Sequence, residues 1–383
     1  MIDFYDIAII GAGPSGCACA LALHGSGLRV VLIDKEIFPR DKICGDGIPG
    51  QVFKAMDNIK PEWGKVLRQF TNKADIRTSK VLATNGKTIT IDWVLKTYNS
   101  KRLDFDNFIL QLVRSETKTI ILESKRLHQV KAGIDNIYCH FQDGSSLRTS
   151  IVIGCDGANS LVRRQLDKND LLNNNSGKAV RAYFYDIEGV KAGVNEFHFF
   201  KNFPGYFWIF PLENGCTNVG VGSVQRINGK NIKTINLRET LKTLISTSPG
   251  IAPRFKNARL VDNIKGFPLP FCTHKRTISG NRFMLCGDAA SLIDPLSGHG
   301  IDNAMWSGIF AARQAMMCFK SFDFTADFMR QYDIMLYKKI GSGLFRKMFI
   351  LQHFNYFLWL INQYTRLGQN QKLTKWILSV LKI

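Results

Sequence analysis

Apolar runs of strand length punctuate the chain at Ile7–Ile10, Leu28–Ile33 (interrupted only by Arg29) and Ile151–Ile153. Such runs suit strands of a parallel sheet buried on both faces. Elsewhere the pattern alternates. Residues 73–98, Val180–Ile187, Glu196–Phe200, Tyr206–Leu212 and Thr217–Val224 read as half-buried strands, the pattern of a large antiparallel sheet that covers a cavity. Asn136 and Asp143-Gly144 mark turns between shorter strands. A 3.6-residue apolar period predicts helices from Arg102, near 234–246 and over about 300–319. Phe38–Gly50 is dense in proline and glycine and reads as an ordered loop, neither helix nor strand.

These elements predict an α/β fold. A Rossmann-like domain spans residues 1–72, 99–170 and 271–325, interleaved with an α+β domain from 73–98 and 171–270. A basic, apolar helical region spans 326–383.

Composition narrows the class. With 45% hydrophobic and 21% charged residues in 383, the chain suits a globular protein with a substantial core. Nine cysteines without a C-x-x-C pair predict reduced thiols, and no zinc-type spacing occurs. No signal-like stretch precedes the first strand, so the expected location is cytoplasmic. The net charge of +20 calls for an anionic partner, nucleic acid or membrane. Its distribution favours membrane. From Ile334 onward there is no acidic residue; Lys338, Lys339, Arg346, Lys347, Arg366, Lys372, Lys375 and Lys382 alternate with large apolar side chains such as Phe349, Phe357 and Trp359. That mixture suits a helix lying in the interface on the inner face of a membrane, and Gln352, His353, Asn355, Asn362 and Gln363 argue against a spanning helix. The competing reading packs the same helix on its own domain.

The candidate chemistry begins at Gly11-Ala-Gly13-Pro14-Ser15-Gly16, between the first strand and a helix starting at Pro14. Gly11 permits the turn, Gly13 admits a pyrophosphate, and Gly16 lets helix and strand approach. The helix N-terminus offers N–H groups to phosphate. Asp34, with Lys35 beside it, ends the second strand where an acid can accept from a ribose. Strand, turn, helix, strand and terminal acid together predict a bound dinucleotide. A second buried strand runs into Asp156-Gly157 and a helix carrying Arg163. A third ends at Gly287-Asp288, followed by a loop with Pro295 and Gly298 and a helix opening at Gly300-Ile301. Asp288 can accept from sugar-like hydroxyls, and that helix N-terminus can stabilise negative charge on a reduced ring, which points to a flavin. Cys44, next to Gly45 in the Phe38–Gly50 loop, can tune or protonate chemistry at a cofactor ring, or only pack. Arg102 is either a phosphate or ring contact or a solvated charge. Tyr206, Trp208 and Phe210 share one strand face, as ordinary core or as the wall of an apolar pocket.

Taken together, these motifs resemble the flavoprotein hydroxylase superfamily with the glutathione-reductase-type FAD fold, and within it the geranylgeranyl reductase family. The Gly11–Gly16 turn with Asp34 resembles the ADP-binding fingerprint, and Asp156-Gly157 with Arg163 the Asp-Gly motif. Gly287-Asp288 through Gly300 resembles the motif that holds the ribityl chain and flavin ring. Pro39-Arg40-Asp-Lys-Ile-Cys44-Gly45-Asp46-Gly47 is similar to the family loop P-R-x-K-x-C-G-G-G, with Asp46 where glycine is common. Tyr206-x-Trp208-x-Phe210-Pro211 is similar to the Y-x-W-x-F-P strand that lines a prenyl cavity. The resemblance implies FAD as cofactor, Arg102 as a cofactor contact, and reduction of C=C bonds in a prenyl or lipid-like substrate by hydride from reduced flavin. No second dinucleotide fold is visible, so it also implies transient NAD(P)H or a separate protein as electron donor. The alternative is a flavin monooxygenase or halogenase acting on an aromatic or carrier-bound substrate.

Overall fold

The structure, a computed structural model, describes residues 2–167, 176–227, 230–231 and 235–366. Two sheets organise it. In the first, five parallel strands follow the spatial order Phe283–Leu285, Ser146–Gly154, Asp3–Ile10, Val30–Ile33 and Ile120–Leu122. Their register pairs Ile7 with both Val30 and Ile151, so the apolar runs meet in one layer and are buried on both faces. The Pro14–Ala22 helix packs against the first strand and against the long Ile301–Ser321 helix. Sequence and structure agree on the α/β class, with small shifts at element ends: the first strand begins at Asp3 and the second at Val30.

The second sheet joins segments distant in sequence. Its central path runs Ser176–Tyr185, Thr217–Ile227, Gly205–Pro211, Val194–His198, Ala74–Leu82 and Thr88–Asn99. One pairing departs from the antiparallel expectation. Val194–His198 lies parallel to Thr78–Leu82, because the two strands come from separate segments and no hairpin dictates their direction. The Phe38–Gly50 loop also departs from expectation: Gly47–Ile48 pairs with Tyr98–Asn99 and extends this sheet by one short strand. Two residues are too few to carry an alternating pattern, so no sequence signal marked them.

The C-terminal helices, Ala326–Gln352 and Phe354–Arg366, do not lie free as an interfacial ribbon. Leu344 is buried in the main core, Met348 and Leu351 pack with Val224, Phe271 and Ile293, and Ile361 and Tyr364 pack with Ala83 and Ile89. Two of the basic residues are likewise used internally. Lys347 pairs with Asp294 at 2.5 Å, and the Lys339 ammonium sits 4.3 Å from the centre of the Trp306 ring. Lys372, Lys375 and Lys382 lie outside the described residues. No described helix is long and apolar enough to cross a membrane.

Candidate active site

One cavity of about 790 Å³ runs between the two sheets. At one end stand Gly11, Gly13, Pro14, Ser15, Asp34 and Lys35; Asp156 and Gly157 face them. Toward the middle, Arg40, Cys44, Gly45, Arg102 and Asp288 line it, with Pro295, Gly298, Gly300 and Ile301. The far end is walled by Tyr206, Trp208 and Phe210. Strand alternation sends Phe207 and Ile209 the other way, into the hydrophobic cluster on the opposite face of the second sheet.

Three of the expected site residues stand behind this wall. Gly16 packs where a Cβ would lie 1.9 Å from the Gly11 carbonyl oxygen. Gly287 donates its N–H to Ser307 Oγ at 2.9 Å and backs onto Ser15 and Ala304. Pro211 closes its strand, where its carbonyl accepts from Asn99 at 2.8 Å. Each supports a neighbour that does reach the cavity.

The carboxylates at the cofactor end are engaged in holding the backbone. Asp34 accepts from the N–H of Ala12 at 2.7 Å and of Glu36 at 2.9 Å, tying the glycine turn to the end of the second strand. Asp156 accepts from Ser160 Oγ, Leu161 N and Val162 N, and so caps the Leu161–Leu166 helix. Burial pushes Asp156 above the usual carboxylate range, against the pull of those donors. Asp288 pairs with Lys42 at 2.9 Å, which ties the Cys44 loop to the third motif.

Arg102 is neither solvated nor isolated. It is 3% exposed and forks onto Asp106 at 2.6 and 2.7 Å, while Arg40 binds the same carboxylate at 2.8 Å. Burial works against the Asp106 charge, but the two guanidinium groups overcome it and hold the acid below its ordinary value. Two cations on one anion leave a net positive charge beside the cavity. Cys44 is among the groups around Arg102 and lines the same cavity. Asp106 escaped the sequence reading, although the i, i+4 spacing Arg102–Asp106 was there to find. Leu351 and Phe354, also on the cavity wall, carried no signal, because they arrive from the far end of the chain.

These residues fit FAD. Both the Pro14–Ala22 helix, N-capped by Gly13, and the Ile301–Ser321 helix, N-capped by Gly300, begin at the cavity without a side-chain cap. Their first N–H groups therefore remain for an anionic ligand. A Cβ on Gly13 would stand 3.7 Å from Arg40 Nη2, in the space a pyrophosphate needs. A dinucleotide-binding sheet, two open helix termini, an excess positive charge and an attached apolar chamber define an FAD-dependent oxidoreductase. The chain belongs to the family described as FAD binding domain, which matches residues 5–314.

Among curated relatives, it is 25% identical over 371 residues to a digeranylgeranylglycerophospholipid reductase of Methanoculleus marisnigri, covering 92% of this chain and 87% of that one. It is 28% identical over 332 residues to a menaquinone reductase of Mycobacterium tuberculosis, covering 81% and 76%. Its fold matches that of a geranylgeranyl bacteriochlorophyll reductase-like protein from Thermoplasma acidophilum, with TM-score 0.76, 22% identity and coverage of 100% and 93%. The fold of the halogenase PltM is comparably near, at TM-score 0.74, 15% identity and coverage of 96% and 85%. The fold by itself does not choose the reaction.

Proposed function

We propose that this protein reduces C=C bonds of a prenyl or other lipid-like substrate. The observation that carries the reading is one cavity whose wall includes the glycine turn, Cys44 and the apolar side chains of Trp208, Phe210, Phe267, Leu269, Phe271 and Phe354. The relatives' names point the same way, since both describe reductases, one of them of a lipid with isoprenoid chains. We take the dinucleotide sheet with residues 1–72, 99–170 and 271–325 as the cofactor domain, and the second sheet, from 73–98 and 171–270, as the substrate domain.

Reduced FAD, when bound, supplies the hydride. The protein's part is to bind, orient and exclude water. Gly11, Gly13, Ser15, Asp34, Arg40 and Arg102 hold the dinucleotide. Asp288, Pro295, Gly298 and Gly300 hold its ring end, where the open helix terminus favours negative charge. Cys44, beside Arg102 and facing the cavity, is our candidate for tuning the ring or relaying a proton to the substrate. Trp208 and Phe210 position an apolar chain by shape, since a prenyl chain offers nothing to hydrogen-bond. NAD(P)H or a separate protein acts as electron donor.

Single-turnover mass spectrometry tests this. Anaerobically reduced holoenzyme mixed with a geranylgeranylated lipid gives a product heavier by two hydrogens per reduced bond, together with flavin reoxidation. Trp208→Ala weakens the apparent affinity about tenfold or more, consistent with the loss of one large apolar contact. Product carrying oxygen or chlorine, formed only after air is admitted, with no reduced lipid, would instead establish the monooxygenase or halogenase reading.

Membrane docking through the C-terminal helices is the second part of the proposal. Phe349, His353, Tyr356, Trp359 and Leu360 are exposed, and Tyr356 stacks on Trp359 with ring centres 5.5 Å apart. Lys338, Arg346 and Arg366 flank them, also exposed. On the same two helices, Leu351 and Phe354 turn inward to the cavity. An aromatic ridge with basic neighbours suits an anionic bilayer, the natural source of such a substrate. Replacing Phe349, Tyr356 and Trp359 together by serine should reduce co-sedimentation with phosphatidylglycerol vesicles about tenfold or more. Unchanged binding would refute this surface.

A further inference from the structure

Asp46 replaces the glycine common in the loop motif, and the function described above gives it no task. It is completely buried, and its backbone is in the left-handed region at φ 64°. One carboxylate oxygen, Oδ2, accepts from Tyr183 Oη at 2.7 Å and from Asn218 Nδ2 at 2.8 Å; the other, Oδ1, has no partner. Asn218 is the junction. Its Nδ2 also donates to the Cys44 carbonyl at 2.9 Å, and its Oδ1 accepts from Trp208 Nε1 at 2.9 Å. The Asp46 carbonyl accepts from Ser100 N at 2.9 Å. The thiol loop and the indole on the cavity wall are therefore joined through one amide, and Asp46 orients that amide.

We propose that Asp46 is a positioning residue: through Asn218 and Tyr183 it locks the Cys44 loop to Trp208, and its ionised form tightens the lock. A carboxylate makes each of the two bonds charge-assisted, whereas the neutral acid makes them ordinary. Glycine at this position would leave the Tyr183 hydroxyl and one Asn218 N–H unmatched in a dry place, and the amide could turn away from Cys44 or Trp208. Because the backbone φ is positive, glycine also relieves strain, so a loosened loop in Asp46→Gly does not arise from a strained backbone.

The lock is placed to respond to pH. Burial raises Asp46 to about 6, opposed by the Tyr183 and Asn218 bonds and by the charges of Arg181 and Arg102. Arg181 and Tyr183 face it from the Ser176–Tyr185 strand, Arg102 from the Arg102–Glu116 helix, and Cys216 from the start of the Thr217–Ile227 strand. Asp41 and Asp262 pair with Arg181 behind them, and Lys101 lies 5.2 Å from the centre of the Tyr183 ring. With a raised value the acid is neutral below about pH 6 and ionises above it. The lock is tight on the alkaline side.

Cys44 reports the loop directly, since each of the other eight cysteines is buried. In FAD-loaded protein, alkylation of Cys44 by iodoacetamide, mapped by mass spectrometry, should be about tenfold faster in Asp46→Gly than in wild type at pH 8. Asn218→Ala, which changes no charge, should accelerate it similarly, which separates loop release from an electrostatic effect on the thiol. For the isosteric Asp46→Asn, the ratio of its rate to the wild-type rate should climb from unity in acid, with a midpoint near pH 6. Equal rates in wild type and all three variants across that range would overturn the proposal, as would acceleration in Asp46→Gly without any in Asn218→Ala. The alkylation assay does not depend on the reductase reading. If the rates respond as expected and no lipid is reduced, that reading fails while the role of Asp46 stands.

Discussion

Replacing Asp106 by alanine is expected to cost about 3–5 kcal/mol of stability at neutral pH. Its carboxylate is the shared partner of Arg102 and Arg40, and its side chain is wholly inaccessible. Arg102 is nearly as buried, so the substitution strands a guanidinium charge away from water. The cost reflects that unpaired charge more than the net worth of the ion pair, which repays its own desolvation only in part. Chemical unfolding by urea, followed by circular dichroism, measures it; a loss below about 1 kcal/mol would mean that water reaches Arg102. The pH dependence has a definite sign. Asp106 lies below its ordinary value in the folded state, so its contribution is complete above the unfolded-state value near ~4 and is lost as the pH falls through the folded-state value. The gap between wild type and Asp106→Asn should therefore narrow in acid. Asp46, raised by burial, contributes in the opposite sense: its stabilisation is present in acid and is lost as the pH rises through about 6.

Gly16→Ala is expected to abolish FAD retention and to destabilise the fold by about 3 kcal/mol. The added methyl would sit 1.9 Å from the Gly11 carbonyl oxygen and 3.2 Å from Leu32 Cδ1. The first obstacle is backbone, and it belongs to the turn itself, so relief requires moving the glycine turn away from the cavity. Gly11 cannot absorb that shift. It holds φ at +106° and passes so close to the Cys155 carbonyl that its own Cβ would lie 2.3 Å from that oxygen. The ratio of flavin to protein absorbance after purification reports the loss. Gly25→Ala is the control, since its Cβ meets nothing within 4 Å and pays only for φ +76°, a cost of about 1 kcal/mol. Normal flavin content in Gly16→Ala would show that the turn tolerates displacement.

Much of the cofactor half is legible in its residues. Ile7–Ile10, Leu28–Ile33 and Ile151–Ile153 are read as buried strands because a parallel sheet demands apolar side chains on both faces, and the Gly11–Gly16 turn is legible because sterics admit only glycine there. The aromatic face of Tyr206, Trp208 and Phe210 followed from strand periodicity alone. Whether it lined a pocket did not, since core and cavity wall look identical along a strand. Only the tertiary structure set that face against the Cys44 loop, through contacts such as Asn218 to Cys44 that span 174 residues. It also decided the fate of the charges. Arg102, read in sequence as a cofactor contact or a solvated charge, and Lys347, read as part of a basic membrane-facing stripe, are both tied down internally, through Asp106 and Asp294. The C-terminal helices divide in the same way: their apolar stripe is written in the chain, but only packing separates Leu351, which faces the cavity, from Trp359, which faces out. Local pattern encodes which residues avoid water; it does not encode which distant segment covers them.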